Sequence, residues 1–182
     1  MSPSSRPHLR PVSVSDYDEI YRWTTDRRNS VLWRYRGGTP SPETVQRQLW
    51  EGVLVQYCVV TDRSSRPLGL VSLYNANHVS QYAYLAALSA PELVGSGLVA
   101  RAALEIVQYG FERFRFRKLY LESLESSLQF YRSALNLGVL SEAGRLANHE
   151  WNGSDYDDLV FLFVTREQWT EFVGRRTWSL GK

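Results

Sequence analysis

The stretch Pro91-Glu92-Leu93-Val94-Gly95-Ser96-Gly97-Leu98-Val99-Ala100 lies between an apolar run, Tyr82 to Leu88, and a helical pattern running from Val99 to Arg115. A strand that passes through glycines into a helix start leaves several backbone N–H groups without intrahelical acceptors. The helix dipole adds positive potential at the same point. Together they form a phosphate or pyrophosphate site that needs no charged side chain. Gly-Ser-Gly before a helix also reads as an ordinary turn, so the flanking pattern decides between the two.

Upstream, His8 to Val14 reads as a strand, and Ser15 as the cap of a helix over Asp16 to Thr25. Arg27 to Pro42 reads as a loop broken by Gly37, Gly38, Pro40 and Pro42, with a second helix from Ser41 or Thr44 to about Gly52. Val53 to Thr61 and Leu68 to Tyr74 form a hairpin, and Gln81 to Ser89 is a further strand ahead of the glycine loop. Downstream, Lys118 to Leu124 is a strand and Ser126 to Leu137 a helix ended by Gly138. Leu146 to Trp151 and Leu159 to Thr165 make a last hairpin around Asn152-Gly153 and the acidic run Asp155 to Asp158. Arg166 to Val173 is a closing helix. This order predicts an α/β (α+β) fold with one sheet and helices on its faces.

The chain has 182 residues, which suggests one domain over residues 1–174 and a short tail over 175–182. Its formal charge of +2 gives no field that argues for nucleic acid. The basic residues are nearly all arginine; Lys118 and Lys182 are the lysines. One cysteine, Cys58, sits in an apolar run, where a small buried side chain is the plain reading, and it excludes an internal disulfide or a multi-cysteine metal site. The start of the chain is polar and no apolar stretch reaches the ~20 residues that span a bilayer. The expectation is a cytoplasmic protein without metal, membrane or nucleic-acid partners, as a monomer or homodimer.

The chain resembles the GNAT superfamily of acyl-CoA-dependent N-acyltransferases, and within it the branch that includes ribosomal-protein N-terminal alanine acetyltransferases. The residues that carry the likeness are Leu9-Arg10-Pro11 with the acidic helix start, Leu68-Gly69, the Pro91 to Ala102 loop and helix, and Glu142-Ala143-Gly144-Arg145-Leu146 followed by Asn152-Gly153 and Asp158. The resemblance implies a mixed, mostly antiparallel central sheet with helices on both faces. It also implies acetyl-CoA, or another acyl-CoA, as co-substrate and no metal. The family loop reads Arg/Gln-x-x-Gly-x-Gly/Ala. Gly97 matches its central glycine and Gly95 a common extra one, whereas Val94 and Val99 depart from it and Arg101 stands where the branch often has Glu. The implied cofactor contacts are Val94, Gly95, Ser96, Gly97, Leu98 and Val99, with backbone groups around Ala87 and Leu88, and Ser127. A β-branched Val99 is expected to crowd a bound phosphate.

Direct acyl transfer needs a base for the amine, a donor for the carbonyl oxygen and a proton for the leaving thiolate. Many relatives carry a Glu on the strand before the loop; Tyr82 to Leu88 has none. Glu122 on the next strand is the substitute, sharing a face with Tyr120 and Leu124 by strand alternation. A surface or capping contact is the competing reading for Glu122. For the acid, counting back from Gly138 reaches Ala134, so Tyr131 requires a shift of register; Ser127 is the other candidate, with a helix cap as its alternative.

The resemblance places the acceptor between the first two helices and the last hairpin. On that side Arg27, Arg28, Arg34 and Arg36 are interleaved with Trp33 and Tyr35, a cluster that suits an anionic or aromatic acceptor, the adenine and phosphates of the cofactor, or a solvated loop. Arg28, Trp33, Tyr35 and Tyr84 are the expected acceptor contacts, and Asp157 would meet an amine's charge; the acidic run is equally a solvated turn. The expected acceptor is a small-molecule amine or a peptide N-terminus. The runner-up is a divergent GNAT-like protein with a different acyl donor or a lost reaction, acting as an accessory.

Overall fold

A computed structural model describes residues 6–30, 33, 38–62 and 64–180. Seven strands form one sheet: β1 (Pro7–Pro11), β2 (Val53–Thr61), β3 (Ser64–Asn77), β4 (Tyr82–Ser89), β5 (Lys118–Leu124), β6 (Ser141–Trp151) and β7 (Tyr156–Thr165). Their order is β1-β2-β3-β4-β5-β7-β6, antiparallel throughout except for β4 beside β5. The helices are α1 (Tyr17–Thr25), α2 (Arg27–Ser30), α3 (Pro42–Gln48), α4 (Leu98–Phe114), α5 (Arg132–Asn136) and α6 (Arg166–Leu180). This is the mixed, mostly antiparallel architecture expected from the sequence.

Strand alternation sorts the core into two layers. Val59, Val71, Leu73, Ala83, Leu85, Leu119, Leu121, Val160 and Leu162 face α4, together with Ile106, Phe111 and, from α6, Trp169. Cys58, Val60, Leu70 and Leu88 face the other way, against Ile20, Trp23, Trp33 and Leu49. Both faces of β2 to β4 are therefore covered, which is why their sequences read as nearly continuous apolar runs.

Several sequence expectations shift: β1 ends at Pro11, α2 lies inside the segment expected as a loop, and β6 begins at Ser141. Ser15 does not cap the first helix: it lies inside a 3-10 turn, Val14–Asp16, that leads into α1 and has Ser13 as its cap. The Ser13 amide and hydroxyl both donate to Asp16 Oδ2, at 2.7 and 2.9 Å. Arg10 closes the same carboxylate with two bonds of 3.0 and 2.9 Å. The helix expected over Ser126 to Leu137 is divided into a 3-10 segment, Glu125–Phe130, and α5. The last helix runs seven residues beyond Val173, to Leu180. Gly138 ends α5 with φ +69°, as its expected capping role requires.

Candidate active site

β4 and β5 pair only at Tyr82/Lys118, Ala83/Leu119 and Tyr84/Tyr120. Beyond Tyr84, β4 stays on β3 as far as Ser89. Beyond Tyr120, β5 stays on β7 as far as Leu124. The two strands thus fork, and their facing edges carry no ladder. A parallel pair that parts inside a continuous sheet exposes backbone donors and acceptors that a ligand can take up. Ala87 and Leu88 lie on one arm of the fork, Glu122 on the other.

The glycine loop closes the end of the β4 arm. A 3-10 turn, Pro91–Leu93, leads through Gly95 (φ +82°) and Gly97 (φ +75°) into α4. Both angles are in the left-handed region that glycine enters without a Cβ penalty. The Ser96 amide bonds Leu93 O at 3.0 Å, and the Leu98 amide takes Ser96 Oγ at 3.3 Å. Among the described residues, the amides of Val94, Gly95, Gly97, Val99 and Ala100 have no acceptor. A Cβ added to Gly97 would meet nothing within 4 Å, so the outer side of the loop is open. Five unpartnered amides at a helix N-terminus fit an anion carrying several oxygens.

Val99 does not crowd that anion. It is 3% exposed and belongs to the core under α4. Its Cγ2 occupies the place a side chain at Gly69 would fill: a Cβ on Gly69 would lie 2.4 Å from Val99 Cγ2 and 2.6 Å from Leu88 O. The missing side chain of Gly69 therefore lets the first turn of α4 seat on the sheet. Val94, at 42% exposed, points its side chain outward.

Glu122 is exposed and shares the face opposite α4 with Tyr84 and Tyr120. Burial, and then the Glu122 charge followed by Tyr82 and Tyr120, push the Tyr84 phenol above its ordinary range. Tyr74, Tyr84 and Tyr120 form a shelf of half-buried rings with centroids 5.6 Å apart at each step, and Phe163 extends it at 6.5 Å.

The 3-10 segment after β5 brings Ser127 to the end of the fork, where it is buried. Asp157 fixes this segment from β7 by accepting the Ser126 amide at 3.3 Å. Arg145 ties it to β6 by pairing with Glu125 at 2.9 Å, Glu142 at 3.0 Å and Asp158 at 3.3 Å. Tyr131 joins the segment to α5, packs on the α4-side core, and is pushed up by burial, which keeps its phenol protonated. Phe130, half exposed, sets its Cε1 3.8 Å from a Cβ position on Gly95.

On the acceptor side, Trp33 is buried in the core beneath α1, and α2 is tied to the end of β4 by Asn29 Nδ2 donating to Ser89 O at 3.0 Å. Tyr35 and the Arg28 side chain lie outside the described part of the structure. His149 is exposed on the bulged β6. Of the cluster expected over Arg27 to Arg36, residues 27–30 and 33 are described. The sequence reading missed the seat made by Gly69, the shelf residue Tyr120 and the loop neighbour Phe130. Strand parity from Tyr82 and the Phe130-Tyr131 pair were the signals available for the last two.

Residues 6–140 match the acetyltransferase (GNAT) domain family. The chain belongs to the GNAT family. A spermidine N(1)-acetyltransferase of Escherichia coli K12 is 30% identical over 113 residues, which is 60% of this chain and 59% of that relative. The match therefore spans less than two thirds of the relative's length. A Vibrio cholerae spermidine N-acetyltransferase, solved with CoA and spermine, superposes with a TM-score of 0.76 at 18% identity, covering 91% of this chain and 98% of the other. A second structure, of a probable acetyltransferase, gives 0.70 at 18% identity over 88% of this chain. As a GNAT chain it departs from the family loop at Val94 and Val99, and the Val99 departure is accommodated by Gly69. Among the described residues, no group of three or more His, Cys, Asp or Glu is placed to hold a metal, and no helix is long and apolar enough to cross a membrane.

Proposed function

We propose that this protein transfers an acetyl group from acetyl-CoA to the primary amine of a small molecule. The observation that carries this reading is the β4–β5 fork opening beside a loop of unpartnered amides. Bound acetyl-CoA would supply the acyl group as an activated thioester. The amides of Val94, Gly95, Gly97, Val99 and Ala100, with the α4 dipole and the short Ser96 and Leu98 turn, hold the pyrophosphate. The Ala87 amide, on the unpaired β4 edge, donates to the acyl carbonyl oxygen, where negative charge develops; the Leu88 amide faces β3 in the ladder.

Glu122 takes the proton of the attacking amine, directly or through a water. It stands on the face opposite α4, so amine and pyrophosphate approach the fork from opposite sides. Ser127 or Tyr131 returns a proton to the departing sulfur, and the desolvated Tyr131 phenol is held in its protonated form. Tyr84 contacts the acceptor through the shelf; Trp33, expected to do the same, is held in the core beneath α1 and does not. Asp157 acts by positioning the Ser127 segment.

Calorimetric titration with acetyl-CoA, paired with an assay for amine-dependent release of free thiol, tests the reading. Saturable binding and thiol release are expected. No binding at millimolar acetyl-CoA overturns it, and binding without transfer to any primary amine favours an accessory role.

A further inference from the structure

In an antiparallel ladder, residues alternate between pointing both backbone groups at the partner strand and pointing both away from it. The Ala90 amide donates to Leu68 O at 2.9 Å, and the register continues with Leu70 opposite Leu88 and Ser72 opposite Ala86. Ala86, Leu88 and Ala90 therefore face β3, while Ala87 and Ser89 turn their amides and carbonyls towards the fork. β5 pairs with β4 no further than Tyr84, so it takes up none of them.

One of these edge groups is engaged by a side chain from another layer. Asn29 Nδ2 donates to Ser89 O at 3.0 Å. Asn29 is 4% exposed, so its amide group has been withdrawn from water. Its backbone is engaged as well: the Asn29 amide donates to Asp26 O at 3.0 Å, and its carbonyl accepts from the Trp33 amide at 2.8 Å. Trp33 in turn is buried on the side of the sheet that carries Leu70 and Leu88. A single side chain thus fastens α2 onto the open edge of β4, two residues from Ala87.

That place bears on the chemistry. A strand end with a ladder on one side only opens more readily than one paired on both. A donor aimed at developing charge works by being fixed beforehand, so the Ala87 amide needs a rigid arm. The β3 ladder holds the arm from one side, and the seat of Val99 on Gly69 holds it from below. Asn29 supplies the hold on the fork side itself.

We propose that Asn29 is a positioning residue of the acetyl transfer. By bonding Ser89 O it fixes the Ala87 amide against the acyl carbonyl oxygen, and it docks α2 beside the edge at which the acceptor amine arrives. It touches neither the acyl group nor the amine. This inference rests on the acetyltransferase reading above.

Carbon-13 NMR of the protein saturated with acetyl-CoA labelled at the acetyl carbonyl reads that hydrogen bond directly. The native protein is expected to move the carbonyl signal downfield of free acetyl-CoA. In Asn29→Leu, which keeps the bulk and removes the donor, the signal should return at least halfway to the free position. With n-butylamine as the probe amine, kcat should fall by about tenfold and its KM rise by about threefold, while the acetyl-CoA Kd from calorimetry stays within about twofold. Asn29→Ala, which leaves room for a water at Ser89 O, should show the same changes at smaller size. Both variants are measured well below their melting temperatures. A carbonyl signal that keeps its native position in both overturns the assignment, whatever happens to kcat. Failure of both to fold overturns it too, by making Asn29 a residue of the fold and not of the reaction. Acetyl-CoA binding with no downfield movement in the native protein removes the Ala87 donor and this inference with it, whereas absence of binding overturns the transferase reading itself.

Discussion

The glycine loop follows β4 directly, the sheet face at the fork draws on several strands, and the two use the chain in opposite ways. The loop offers backbone: five amides without acceptors among the described residues, with Val94 turned out and Val99 turned in. The face offers side chains: Glu122 and the tyrosine shelf. A backbone site tolerates exchange of its side chains as long as its path is kept, whereas a side-chain site does not. This is how a GNAT loop can depart from the family pattern at two positions and keep its geometry.

The largest effect should come from the face. Glu122→Gln is expected to lower kcat by about 100-fold or more, the scale of a general base, with acetyl-CoA affinity within about twofold. Unchanged turnover in steady-state kinetics would remove Glu122 as the base. Gly69→Ala attacks the path of the loop from below. Its methyl group cannot coexist with Val99 Cγ2 at 2.4 Å and Leu88 O at 2.6 Å. Overpacking of this kind costs about 1–3 kcal/mol, or a Tm lower by roughly 2–10 °C, and should weaken acetyl-CoA binding with it. Adding Val99→Ala should restore part of both, because only the backbone contact is left. An unaltered melting curve would mean that α4 does not seat on Gly69.

Acid probes the layer that covers the acceptor face. Burial alone would raise Asp16, but the Arg10 guanidinium and the Ser13 amide and hydroxyl outweigh it and hold the carboxyl at about 2, against an ordinary 3.8. The native state therefore binds this proton less readily than the unfolded chain does. The contribution is complete above about pH 4 and is lost as the pH falls towards 2, amounting to about 2 kcal/mol. Urea unfolding at a series of pH values should show this slope, and Arg10→Met should move the loss to higher pH. The smallest effect is a gain: Val94→Arg puts a charge on an exposed loop position and should tighten acetyl-CoA binding by about tenfold, one charge-assisted bond. No gain would show that the amides already satisfy the anion.

Much of this was legible in the sequence, for physical reasons that differ by element. β2 and β5 fall at their predicted bounds, Val53–Thr61 and Lys118–Leu124, because apolar runs between turn residues mark buried strands. The glycine loop was legible because left-handed φ angles demand glycine at Gly95 and Gly97. Glu122 could be placed on a face with Tyr120 from the two-residue period alone. The fork could not be read, since it is a property of which strands part and leaves no mark in either strand. Nor could the fate of Val99 be read: its side chain turns inward only because Gly69, thirty residues earlier, leaves room. The broken helix around Ser127 and Tyr131 was hidden for a similar reason, as its first segment is fixed by Asp157 and Arg145 from the last hairpin.

The central claim is that a pyrophosphate is gripped by backbone in this loop. Amide chemical shifts in a titration of the nitrogen-15-labelled protein with coenzyme A test it residue by residue. The account predicts saturable downfield movement of the Gly95, Gly97, Val99 and Ala100 amides, larger than anywhere else in the chain. Saturation with those four amides unmoved would contradict it.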